Sequence, residues 1–346
     1  MNKKRIAALL SVVLVLAMVL SACGGTTPAP TTAAPTTTAG AETTTAGEPE
    51  LDRSQYFITV ATGPTSGLYY PIGGAFSSVF QNKLGYKSSA QSTGASGENI
   101  NLILTGGAEM AIAMSDAVAQ AYDAFGAFEG KEPATDLRAI TGLYPNYVQL
   151  VTTEASGITK FEDLKGKKVG IGAPNSGVEL NARVMYEAHN MTYEDSSVDY
   201  LNYGEAIDQM KNGMVDAVFV TSGIPNATIM ELGTTNTIVL VPIEGEGLAN
   251  LIAKYPFFVP EVIPADVYGT TSDTNTVTVR NIMMVNSSLP DDVVYDLTKG
   301  IFENIGDIQA SHATAQKHIT LENSHVGVGI PFHPGAIKYY EEKGMN

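Results

Sequence analysis

The sequence predicts an α/β fold with a mainly parallel sheet and helices on both faces. Short β-branched or apolar runs alternate with segments of helical spacing, the pattern of strand–helix–strand units. These runs end in Gly/Ser/Thr turns that lead into helices. Two longer extended segments, 137–152 and 276–286, stand outside the alternation and are expected to cross between two lobes.

The first unit is Tyr56-Phe57-Ile58-Thr59-Val60-Ala61-Thr62, a strand, then the turn Gly63-Pro64-Thr65-Ser66-Gly67, then helical spacing over 69–83. Residues 107–113 form the next strand, closed by Ser115 and followed by a helix through Ala124. Segment 137–152 leads out to the second lobe. There Lys168-Val169-Gly170-Ile171-Gly172 is a strand, Ala173-Pro174-Asn175-Ser176-Gly177 a turn and 178–189 a helix. Residues 215–220 form a further strand, with Thr221-Ser222-Gly223 opening the next helix, and Ile238-Val239-Leu240-Val241-Pro242 one more. Segment 276–286 returns to the first lobe. No short repeat and no heptads occur.

The N-terminal region has a different character. Lys3, Lys4 and Arg5 precede an apolar run over 6–20, which ends at Leu20-Ser21-Ala22-Cys23. A basic start, an apolar core and small residues before a cleavage point make a secretory signal. The run is also shorter than the roughly 20 residues a membrane span needs. Leu20-Ser21-Ala22-Cys23 resembles the bacterial lipobox, so Cys23 is expected to carry a lipid and become the new N-terminus. Residues 24–50, mostly Thr, Ala, Pro and Gly, lack the apolar content to seed a core and read as a disordered spacer. At 5–6 Å times the square root of its length, the spacer reaches about 30 Å.

Cys23 is the one cysteine, so the body has no disulfide framework, thiolate metal site or cysteine nucleophile. Removing Lys3, Lys4 and Arg5 takes the formal charge from −16 to −19. That field argues against nucleic acid and against direct binding to anionic lipid. Enzyme signals are thin: no nucleophile elbow is present, and the glycine turns lack the lysine of a P-loop. The five histidines, His189, His312, His318, His325 and His333, form no i, i+4 pair, so neither a metal nor a cofactor is expected. His333 reads as a structural residue of the tail.

The turns carry the binding chemistry. In open α/β sheets, ligands gather at the carboxyl ends of strands, where helix N-termini present free N–H groups. Thr65, Ser66 and Gly67 lie at one helix start, and Ala173, Asn175, Ser176 and Gly177 at another, so their amides are candidates to hold one anion from opposite lobes. Glycine there allows close approach and positive φ. Ser92, Thr93, Ser96, Ser115 and Ser222 add hydroxyls, and Tyr69 is expected to cover the solute with its ring and donate from its phenol. Arg183, two turns into its helix, reads as a surface ion-pair partner. Taken singly, each turn is also an ordinary N-cap.

From about Phe57 to Gly344 the chain resembles the TAXI family of solute receptors for TRAP-type secondary transporters. The resemblance rests on Thr62-Gly63 through Gly67, Tyr69-Tyr70-Pro71, Gly73-Gly74, Ser92-Thr93-Gly94-Ala95-Ser96, Glu98-Asn99, Ser115-Asp116 and Leu143-Tyr144-Pro145. It continues through Asp163-Leu164-Lys165-Gly166-Lys167-Lys168-Val169, the turn from Gly172 to Gly177, Ser222-Gly223-Ile224-Pro225-Asn226, Ile330-Pro331-Phe332-His333-Pro334-Gly335-Ala336 and Tyr339-Tyr340. Pro64 and Leu68 interrupt a loop that usually runs through more glycines, and Met114 and Thr221 also depart from the common pattern near the expected pocket.

The resemblance implies a type II periplasmic-binding-protein architecture: two Rossmann-like lobes joined by crossover hinge strands. Its parts would be a signal peptide over 1–22, the lipidated Cys23 and linker over 23–52, a first lobe over 53–143 plus 279–346, and a second over 144–278. It implies a monomeric, extracytoplasmic receptor, lipid-anchored to the outer face of the cell membrane. The receptor would capture a small carboxylate, a glutamate-like amino acid or an oxo-dicarboxylate, and deliver it to TRAP permease subunits. The alternatives are a receptor of the same fold serving an ABC importer for another small organic solute, and a surface antigen without a transport role.

Overall fold

In the computed structural model, which describes residues 51–345, strands and helices alternate from the start. The first part comprises β1 (Phe57–Ala61), α1 (Tyr69–Val79), β2 (Lys87–Gln91), α2 (Ser96–Thr105), β3 (Met110–Met114) and α3 (Ser115–Tyr122). The long β4 (Leu137–Thr153) follows. Next come β5 (Lys168–Gly170), α4 (Gly177–Ala188), β6 (Ser197–Asp199), α5 (Tyr203–Lys211), β7 (Ala217–Ser222), α6 (Ala227–Gly233), β8 (Ile238–Val241), α7 (Gly245–Lys254) and β9 (Val259–Ile263). The second long strand, β10 (Thr274–Asn286), leads to α8 (Asp291–Glu303), α9 (Ile305–Gln309), α10 (Ala313–His318) and α11 (Pro334–Glu342). Cys23, its lipobox and the spacer lie outside the described residues. Among the described residues, no helix is long and apolar enough to cross a membrane.

The strands form one sheet in the order β2-β1-β3-β10-β4-β7-β5-β6, with β8 on β4 and β9 on β10. The expectation of a mainly parallel sheet needs correction, because the sheet is mixed. Parallel pairing holds within two sets, β2-β1-β3 and β7-β5-β6. Between them β4 and β10 run antiparallel to each other and to their other neighbours. Segments 137–152 and 276–286 fall on β4 and β10, which occupy the centre of the sheet.

Apolar side chains cover both faces of each set. In the first, α1, α8 and α11 pack on one face around Ile72, Phe76, Leu297 and Tyr340, and α2 and α3 on the other around Ile100, Ile103 and Val118. In the second, α4 and α7 pack on one face around Met185 and Leu251, and α5 and α6 on the other around Ile207 and Ile229. Two residues trade sides. Leu180 of α4 lies in the α2–α3 cluster, and Met114 of β3 lies in the α4–α7 cluster.

The turn after β7 also differs from expectation. Ser222 closes the strand, and α6 starts only at Ala227, where Asn226 caps it by accepting from the Thr228 and Ile229 amides. At the C-terminus, buried His333 caps α11, its Nδ1 accepting from the Gly335 amide. A Cβ on Gly335 would strike the Asp291 carbonyl and the Tyr295 amide of α8, which are backbone and cannot swing away. Gly335→Ala should therefore lower stability by about 1–3 kcal/mol, a melting temperature several degrees lower. Gly329→Ala, which meets nothing within 4 Å, should leave the melting temperature unchanged, and equal melting of the two variants would contradict this packing.

Candidate functional site

The site begins with a defect in the central pair. Arg280 faces Pro145 and Ile282 faces Gly142, so Leu143 and Tyr144 of β4 together oppose the single Asn281 of β10. A bulge of this kind leaves a backbone group outside the ladder and re-aims side chains. Here the Tyr144 carbonyl accepts from Asn281 Nδ2 at 2.9 Å. Asn281 Oδ1 in turn accepts from the Tyr69 phenol at 2.5 Å and from Asn146 Nδ2 at 3.1 Å. Burial raises the Tyr69 and Tyr144 phenols, so both stay protonated and able to donate.

Above this floor lies a cavity of about 40 Å³, bounded by the strand ends of both sets. Gly63, Pro64, Gly67, Leu68 and Tyr69 come from the turn after β1, Gly94 and Ala95 from the start of α2, and Met114 from the end of β3. Facing them are Gly172, Ala173, Ser176 and Val178 after β5, Leu201 to Tyr203 at the start of α5, and Thr221 and Ser222 at the end of β7. No charged side chain stands among these lining residues. The volume suits a compact solute, since a single water already needs roughly 10–15 Å³ by such a measure.

The first turns of α1 and α4 open onto the cavity, and the leading amides of a helix have no intrahelical acceptor. On α4, Ser176 Oγ takes the Glu179 amide at 3.2 Å, leaving Gly177 and Val178 without an intrahelical partner. Three of the lining residues each carry a buried side-chain atom with no partner within the protein: Tyr144 Oη, Asn146 Oδ1 and Thr221 Oγ1. Buried polar groups are nearly always hydrogen-bonded, so three in one small cavity mark where a ligand would be held.

Of the residues expected from sequence, Gly67, Tyr69, Ala173, Ser176 and Ser222 line the cavity. Tyr69 lines it, but its phenol is spent on Asn281 and does not donate inward. The other expected residues stand behind the lining. Thr65 is exposed and Ser66 partly exposed at the rim. Ser92 donates to the Gly63 carbonyl, and Thr93 donates to Asn99 Oδ1, whose Nδ2 donates to the Thr62 carbonyl, so both fasten the first turn. Ser96 Oγ accepts from the Met114 amide, and Ser115 is the first residue of α3. Asn175 is exposed with φ at +58°.

Gly177 needs a different explanation from the one given above. A Cβ there would meet Met114 Sδ at 2.7 Å and Ser96 Oγ at 2.8 Å, so its smallness admits the opposite set rather than a solute. Positive φ falls instead on Gly172 and Asn175. Arg183 pairs with Glu179 at 2.6 Å at the half-exposed end of its chain and does not reach the cavity lining. Polar lining residues that the sequence did not mark as binding are Tyr144, Asn146, Asn202 and Tyr203, with Thr221 placed near the pocket but given no role. The proline between Tyr144 and Asn146 is the signal that marks the irregular strand there.

The two sets are closed on each other around this cavity. Asn181 Nδ2 of α4 donates to Asp116 Oδ2 of α3 at 2.7 Å, with both side chains buried. The second oxygens, Asp116 Oδ1 and Asn181 Oδ1, are both unpartnered acceptors. A proton on Asp116 Oδ1 would satisfy both, since acid and amide then each donate and accept. Burial pushes the Asp116 carboxyl up to about 6, against the lowering pull of the Ala117 amide and Asn181. Of the groups packed nearby, the Tyr69 phenol couples to it, while Arg183 is held by Glu179.

Because the folded pKa is raised above the unfolded one, the stabilisation is complete below about pH 4 and is lost as pH rises through 6. Asp116→Asn keeps the neutral shape at every pH. Its melting temperature should exceed that of the wild type at pH 7.5 and converge with it towards pH 4.5. Parallel melting curves across that range would contradict the assignment.

Comparison with known proteins places this geometry. The model of the NMT1-like family matches residues 60–344. A solved structure from Bordetella bronchiseptica RB50 is 17% identical, with a TM-score of 0.50 over 82% of this chain and 88% of that one. A binding protein component of an ABC phosphonate transporter from Pseudomonas aeruginosa is 13% identical, with a TM-score of 0.49 over 77% and 80%. The substrate binding protein of an amino acid ABC transporter is 14% identical, with a TM-score of 0.47 over 76% and 100%. At 17% identity the likeness to the Bordetella structure is one of fold.

Proposed function

The chain belongs to the NMT1-like family, and from that membership we propose that it is an extracytoplasmic solute-binding protein. In this reading it closes around a small solute and passes it to a membrane transporter. The lobes are residues 53–143 with 279–346, and 144–278, hinged where β4 and β10 cross. Cys23 supplies the lipid that keeps the receptor at the outer face of the membrane, and no step of catalysis is involved.

The observation that supports the reading most is the closed, neutral cavity with its unpartnered hydroxyls. Tyr144 and Thr221 are both positioned to donate, and the first-turn amides of α1 and α4 add further donors. Donors converging from both sets suit an anionic group, and a carboxylate is the reading we favour. The absence of a countercharge among the lining residues sets a limit. Burying two like charges without a partner is costly, so a single anionic head fits better than an oxo-dicarboxylate.

For the membrane component, an ABC importer fits the family match at least as well as a TRAP permease does. Solute uptake by cells separates the two. Uptake that survives ATP depletion and stops when ion gradients collapse supports the TRAP partner; the reverse supports the ABC partner.

Removing an unpartnered hydroxyl should cost affinity without costing stability. Tyr144→Phe and Thr221→Val should each weaken solute binding about tenfold or more, the worth of a hydrogen bond to a charged group. Both variants should melt at or above the wild-type temperature when unliganded. Wild-type affinity in both, measured by calorimetry, would place the solute elsewhere.

A further inference from the structure

Asn146 lies two residues beyond Tyr144 on β4 and is 2% exposed, and its side chain belongs to the cavity lining. The direction of its amide is fixed by a chain of bonds that starts on backbone. The Tyr144 carbonyl can only accept, so the atom of Asn281 that meets it at 2.9 Å is the nitrogen. Asn281 therefore presents its oxygen to the other side, where it accepts from the Tyr69 phenol. The atom of Asn146 lying 3.1 Å from that oxygen must be Nδ2, because an oxygen there would set two acceptors against each other. Asn146 Oδ1 is left over, buried and without a partner.

We infer that Asn146 is a specificity-determining residue whose side-chain oxygen requires an N–H or O–H donor on the solute. Resting on the solute-binding reading above, the assignment divides small acids into two classes. Amino acids and hydroxy acids carry a donor beside the anionic group and satisfy both the hydroxyls and Asn146. Unsubstituted and keto acids leave Asn146 Oδ1 buried and unpaired, while water that would otherwise solvate it has little room in about 40 Å³. Rotating the amide offers no escape, because the backbone carbonyl sets the polarity of the whole chain. A site built around a hydrogen bond rejects the analogue lacking that group far better than an apolar pocket rejects an extra methylene.

The test uses sets that share a carbon skeleton and an anionic head, in which the hydroxy and bare members carry the same charge and differ only in the donor: alanine, lactate and propionate; aspartate, malate and succinate; taurine, isethionate and ethanesulfonate. Binding of each to the mature protein is measured by calorimetry, with lactamide as a neutral donor-bearing control. Within any set that binds, the donor-bearing members should bind roughly tenfold to a hundredfold more tightly than the bare one. Asn146→Leu should abolish that gap, and wild-type discrimination decides the question if the variant does not fold. Equal binding within a set, or preference for the bare member, overturns the inference and leaves the solute-binding reading intact. Binding of lactamide alone supports the Asn146 assignment and refutes the anionic solute. No binding by any compound overturns both.

Discussion

The hydrogen bond from Asn281 Nδ2 to the Tyr144 carbonyl is the constraint on which the floor of the cleft depends. It exists because β4 carries one residue more than β10 between Gly142 and Pro145, and the surplus carbonyl has no ladder partner. Satisfying that carbonyl through a side chain fixes Asn281. Asn281 then fixes Tyr69 and Asn146, and a ring from α1 is tied to both long strands. The irregular pairing sits where the two strands pass between the parallel sets.

Closure rests on small residues and on exchange of side chains across the boundary. Gly177 lets α4 approach Ser96 and Met114, and Gly97 lets α2 approach the Asn175 carbonyl. Leu180 is buried among residues of α2 and α3, worth about 1.5–3 kcal/mol when fully removed from water. That gain must be offset by something in the open state, or the protein would close without its solute. The buried Asp116 carboxyl is such an opposing term at neutral pH, and the unpartnered hydroxyls of the cavity are another. In the proposed reading, a solute that satisfies those hydroxyls would shift the balance towards the closed arrangement by its differential affinity.

Much of the fold was legible because buried strands announce themselves. The runs at 110–114 and 217–220 are apolar and buried along their length, the run at 57–61 is β-branched and aromatic, and both long segments are extended. Three strands escaped notice for one reason. β2 (Lys-Ser-Ser-Ala-Gln), β6 and β9 have exposed or half-exposed side chains, so pairing alone makes them strands. The direction of pairing is likewise invisible locally, and the mixed sheet was read as mainly parallel. At the site, turn residues such as Gly67 and Ser176 were found because turns have a chemical signature. Tyr144 and Asn146 were not, because they lie in a continuously buried strand whose bulge is a matter of register with β10. Tyr203 reaches the cavity from α5, and only the assembled sheet brings it there.

The central claim, that a solute is held between the strand ends of the two sets, is most directly tested by amide hydrogen exchange with and without a bound acid. Binding at the cavity should slow exchange at Gly177 and Val178 of α4 and at Leu68 to Tyr70 of α1, which have no intrahelical acceptors. Protection confined to the outer groove lined by Asn101, Phe128 and Lys131, with none at those two helix starts, would contradict it.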